Sequence, residues 1–151
     1  MESEGILTVK QISVFLENKP GALAAFVKLV REHNINMRAL SIAETQKYGI
    51  LRIIVSDAQR TVQILKDEQF VASLTPVITV SVSDAPGALC NILETLAGNG
   101  INIEYTYAFT AIRNKKAYMV FRTADKHIAD AERLLTDRGF KLVSQEDIDN
   151  I

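Results

Sequence analysis

The sequence is short of several things, and each shortage excludes something. It has one cysteine, Cys90, so no internal disulfide framework exists and a reducing cytoplasm is the expected setting. Three prolines and seven glycines leave no room for a low-complexity linker. There is no excess of either charge. Seventeen Lys and Arg stand against eighteen Asp and Glu, scattered rather than in runs, which argues against a nucleic-acid partner. No apolar run approaches the about 20 residues a membrane span needs, and the opening "MESEG" is acidic and polar, unlike a secretory signal. His33 and His127 fall in no metal-ligating spacing, and no Cys-x-x-Cys loop occurs. No nucleophile has a recognisable base, so neither enzyme activity, a cofactor nor a metal is expected.

What is present is a repeat. Residues 12–37, moved by 66 positions onto 78–103, match at eight of twenty-six places: Ile12/Ile78, Val14/Val80, Pro20/Pro86, Gly21/Gly87, Ala22/Ala88, Leu23/Leu89, Ile35/Ile101 and Asn36/Asn102. Unrelated segments would match at roughly one or two, so the chain is internally duplicated. The periodicity agrees. Leu23, Phe26, Val27 and Val30 lie at helical spacing, as do Leu89, Ile92, Leu93 and Leu96. Later positions such as Leu65 and Leu135 match at an offset of 70, so the second copy gains about four residues around its hairpin or the loop after it.

Each copy reads strand, helix, strand, strand, helix, strand. The expected architecture is therefore α+β: two ferredoxin-like βαββαβ units, residues 1–75 and 76–151, with antiparallel sheets and helices on one face. Residues 69–74 and 77–83 read as separate strands, and "GNG" at 98–100 as a left-handed helix end.

Pro20 and Pro86 are expected to open the helices, with Lys19 and Ala85 at the N-cap, where neither has a capping side chain. The N–H groups of Gly21, Ala22, Gly87 and Ala88 would then be unbonded at a positive helix end, an arrangement that suits an anion. Asn18 and Asp84, two residues before each proline, are free of capping duty, although an Asx-turn is an equally plain use for them. Asn36 and Asn102 are expected at the start of the second strand, at the same end of the sheet as the turn. Cys90 reads as a small packed residue, and Tyr105, Tyr107 and Phe109 as one face of a strand, in a core or an interface.

"ENKPGALAAFVKLVREHNIN" and "SDAPGALCNILETLAGNGIN" resemble the signature of ACT domains, small-molecule sensing modules of amino-acid metabolism, once per half of the chain. The resemblance implies domains paired side by side, with a free L-amino acid held between them as regulatory ligand. By position, Asn18 and Asp84 would hold its amino group or side chain. Leu16, Pro20, Gly21, Ala22 and Leu23 would form one loop, and Val82, Pro86, Gly87, Ala88 and Leu89 the other, while Asn36 and Asn102 reach across from the adjoining domain. Asn18 departs from Asp84, so the two loops are expected to differ. With no catalytic domain in this sequence, regulation would act in trans on a metabolic enzyme, through a homodimer. The alternative is a regulatory subunit that docks on an enzyme or transcription regulator without a small ligand.

Overall fold

The computed structural model of the chain describes residues 7–82 and 87–151. The chain divides into two compact units, one of Lys10–Thr75 and one of Pro76–Ile151 together with the described residues up to Val9. In the first, the elements are β1 (Val9–Glu17), α1 (Ala22–Glu32), β2 (Met37–Glu44), β3 (Tyr48–Val55), α2 (Ala58–Asp67) and the beginning of β4 (Val71–Val82). β3 pairs antiparallel with β1 and β2, and β1 borders β4, so the order is β2-β3-β1-β4. In the second, β4 is followed by α3 (Ala88–Ala97), β5 (Tyr105–Ala111), β6 (Lys116–Arg122), α4 (Ile128–Asp137) and β7 (Lys141–Val143). Its order is β5-β6-β4-β7. Both units thus set their fourth, first, third and second strands side by side, the ferredoxin-like arrangement.

Strand alternation explains why both helices lie on one face. In the first unit Ile12 pairs with Ile53 and Val14 with Leu51, and these side chains form one row. Phe26 and Val30 of α1 and Val62 and Leu65 of α2 close over that row in a single core. The second unit repeats this with Ile78, Val80 and Phe121 beneath Ile92, Leu96, Ala131 and Leu135. Each such side chain, fully buried, contributes roughly 1.5–3 kcal/mol. The helical stripes are only half covered, because Leu23, Val27, Leu89 and Leu93 remain exposed.

Three local expectations are corrected. Residues 71–82 form one uninterrupted strand through Pro76. A proline is tolerated there because its missing N–H falls ahead of the β6 pairing that begins at Ile78 and the β7 pairing that begins at Thr79. The helix N-cap of α1 is Gly21, not Lys19, and that of α3 is Gly87. Both glycines are left-handed, with φ of 87° and 92°, so the turn tightens before the helix starts. Ala85 lies outside the described residues. A further helix, α5 (Gln145–Asp149), follows β7. It is closed by a reciprocal cap in which Asp147 N–H donates to Ser144 Oγ (3.2 Å) and Ser144 N–H donates to Asp147 Oδ2 (2.9 Å).

The extra residues of the second copy fall in two places. Gly49 and Ala117 hold the same register position at an offset of 68 (117 − 49), so two residues (68 − 66) enter by the hairpin. Two more (70 − 68) enter before α4, where a short 3-10 turn, Asp125–His127, stands.

Candidate functional site

β1 ends at Glu17, and the chain then docks on the β2–β3 hairpin. Asn18 N–H donates to Lys47 O (2.8 Å), and the Asn18 side chain donates through Nδ2 to Thr45 O (3.1 Å) and Gln46 O (3.4 Å). Only the NH₂ end of an amide can meet two carbonyls, so the orientation is settled and Oδ1 is the uncommitted acceptor. Oδ1 takes no hydrogen bond among the described residues. Asn18 therefore both anchors the loop and presents an acceptor.

Beyond the turn, Ala22 N–H bonds Lys19 O (3.3 Å) and Ala25 N–H bonds Gly21 O (2.9 Å). Ala22 N–H is thus taken, the N–H groups of Leu23 and Ala24 are left at the open helix end, and no side chain caps α1. In front of this end lies a groove of about 350 Å³, lined by Leu16, Glu17, Asn18, Lys19, Leu23, Ile42, Glu44 and Gly49. Leu16, Gly49 and Glu44 form one cross-strand row on the helix-bearing face, and Ile42 begins the next. The floor is apolar. The rim carries Glu44 and the exposed pair Lys19 Nζ to Glu17 Oε1 (3.6 Å).

Of the residues singled out from the sequence, the groove unites Leu16, Asn18 and Leu23. Pro20, Gly21 and Ala22 form the adjacent turn without lining it. Asn36 does not join them. It precedes β2, whose first residue Met37 pairs with Val55 at the far end of the sheet, because the α1 crossover carries the chain back to where β1 began. Eight strand residues, about 26 Å, separate the two ends. Asn102 is likewise at the far end, three residues ahead of β5, whose first residue pairs with Arg122. The expectation that these asparagines share the turn's end of the sheet is therefore incorrect. Ile42, Glu44 and Gly49 escaped the sequence reading, because cross-strand register is not local.

In the second unit the matching row is Val82, Ala117 and Thr110, and it lines a wider opening of about 900 Å³ beside Ile112, Lys115 and Lys116. Gly87, Ala88 and Leu89 sit at the start of α3, which no described side chain caps. Asp84 and Pro86 lie outside the described residues.

Two residues set aside earlier are now placed. Phe109 is buried against Tyr118, ring centroids 5.0 Å apart, so this strand face is packed. Cys90 is exposed, not packed, since it stands away from the Ile92–Leu96 side of α3. Its Sγ donates to Glu94 Oε1 (3.1 Å). That hydrogen bond first, and the carboxylate's charge second, push the thiol's pKa up and keep it protonated.

A family model described as an ACT domain pair matches residues 7–151. A solved structure of a protein from Bacteroides thetaiotaomicron is 36% identical, superposes with a TM-score of 0.86, and the match covers 96% of this chain and 98% of that one. The ligand-free regulatory subunit of aspartate kinase from Thermus thermophilus shares the fold at 17% identity, TM-score 0.64, over 91% of this chain and 98% of that one. A chain from a structure of aspartokinase alpha and beta subunits gives 22% identity and 0.53 over 84% and 90%. None of the curated proteins matches the chain.

Proposed function

Because the chain belongs to the family of ACT domain pairs, we propose that it is a non-catalytic regulatory protein that binds a free L-amino acid and relays its level to a metabolic enzyme in trans, in the cytoplasm. The observation that carries this reading is the groove in front of α1. The ligand's ammonium would meet Asn18 Oδ1 and Glu44, and its carboxylate the open N–H groups of Leu23 and Ala24 with Lys19 beside them. The fold shared with a regulatory subunit of aspartate kinase supports a role in control rather than catalysis.

The mechanism is a population shift, in which the ligand favours the assembly that surrounds it best. β2 is a sheet edge with exposed Leu40 and Ile42, and antiparallel pairing of two β2 edges in a homodimer reverses direction across the two-fold axis. Asn36 of the partner subunit would then approach the Glu44 end of this β2. That supplies the reach from an adjoining domain that the family resemblance implies. The same apolar edge, with Leu23 and Val27, also suits a docking subunit that takes no ligand.

Thermal unfolding against the twenty amino acids separates the two. A ligand at a hundred times its dissociation constant adds about 2.7 kcal/mol, a shift of several degrees. A rise with one or a few amino acids, lost in Asn18→Ala, supports the sensor. No rise with any of them supports docking.

A further inference from the structure

Gly49 is the second residue of β3, it is buried, and it lines the groove floor. Nothing in its own conformation demands glycine, for it is not among the left-handed residues. Nor does its packing. A Cβ placed on it would meet Ile42 Cγ2 at 3.4 Å, Ala43 O at 3.7 Å and Leu16 O at 3.9 Å, all ordinary contact distances. Glycine in a strand costs stability, since it gives up the most backbone freedom and contributes no side chain.

The duplication provides an internal control. Leu16 pairs with Gly49, and Val82, its counterpart, pairs with Ala117. The fold therefore accepts a methyl at this register position. In the first copy the methyl is missing between Leu16 and Ile42, inside the groove.

We propose that Gly49 is a specificity-determining residue: by withholding a methyl from the groove floor it seats the apolar side chain of an α-amino acid. This inference rests on the amino-acid-binding reading above. The polar groups, Asn18, Lys19 and Glu44, are at the rim and suit the zwitterionic headgroup. The floor of Leu16, Leu23 and Ile42 has nothing to pair with a charged side chain, and burying an unpaired charge is costly. A branched or extended aliphatic side chain fits this chemistry.

The test is calorimetric titration of the full chain with L-alanine, L-valine, L-leucine, L-phenylalanine, L-aspartate and L-lysine, repeated on Gly49→Ala, Ile42→Ala and Asn18→Ala. Wild type should favour valine or leucine over alanine and over both charged probes. Gly49→Ala should unfold, without ligand, at the same temperature or higher, and lose about tenfold or more in affinity for the preferred probe while binding L-alanine as before. Ile42→Ala, a change at an exposed side chain beside Gly49, should deepen the floor and move preference toward L-phenylalanine; this arm reads the groove's size even if Gly49→Ala does not fold. Unchanged rank order in Gly49→Ala and Ile42→Ala, with binding lost in Asn18→Ala, overturns this inference and leaves the sensor reading standing. Preference for aspartate or lysine overturns the apolar class. No binding of any probe by wild type overturns both.

Discussion

Asn18 and Thr45, twenty-seven positions apart, are joined by a 3.1 Å hydrogen bond from Nδ2 to the hairpin carbonyl. The bond makes the loop after β1 and the β2–β3 hairpin one local unit, and a donor at residue 18 is essential to it. Asn18→Asp replaces the donor by an acceptor facing the carbonyls of Thr45 and Gln46. It should destabilise by about 1 kcal/mol, and more than Asn18→Ala, which only deletes the bonds. Urea midpoints of both variants, with amide exchange at Gln46 and Lys47, check this. Equal stability of Asn18→Asp and wild type would refute it, although the second copy carries Asp84 at the matching position.

Gly21 and Gly87 should each resist replacement for a conformational reason. Among the described residues, chain neighbours aside, nothing lies within 4 Å of a Cβ built on either, yet both have φ near +90°. Gly21→Ala and Gly87→Ala should therefore cost about 1–2 kcal/mol each through the left-handed backbone alone. Asn in place of Ala should recover part of that loss. If Asn and Ala are equally costly by denaturant titration, the account is wrong.

Cys90 should react slowly for an exposed thiol. Glu94 raises its pKa, so removing the carboxylate's charge in Glu94→Gln should lower it and increase the thiolate fraction at a given pH. The pH profile of alkylation should move to lower pH in that variant. An unmoved profile would show that Glu94 does not govern the thiol.

Glu132 on α4 is buried and accepts a hydrogen bond from Leu7 N–H at 3.1 Å. Glu132→Ala should destabilise the Pro76–Ile151 unit by about 1–3 kcal/mol, because the N–H loses its acceptor. Glu132→Gln, which keeps one acceptor oxygen, should cost less. Faster amide exchange at Leu7 in the alanine variant alone is the signature.

The duplication and both βαββαβ units were legible because their signals are local: Pro-Gly turns, helical stripes and strand runs each fit within a short window. Asn34 and Gly100, 66 positions apart, both adopt the left-handed form that ends each first crossover. The short helix α5 has a local sign in Ser144 and Asp147, a capping pair at the right spacing. The groove was only half legible. Asn18 and Leu16 belong to the turn and its strand, but Ile42, Glu44 and Gly49 join them through register across three strands. Asn36 was misplaced for a related reason: where a strand begins depends on which way the preceding helix carries the chain.

The hydrogen bond between Leu7 and Glu132 also sets an order of events during synthesis. Leu7 is made ahead of the Lys10–Thr75 unit, yet the helix it bonds to is made after that unit. Lys10–Thr75 has a hydrophobic core of its own. Glu132 follows Thr75 by 57 residues (132 − 75), roughly 3–11 s at ordinary elongation rates. During that interval Leu7 N–H has no Glu132 to bond, so this contact ties the earliest described residue to one of the later helices.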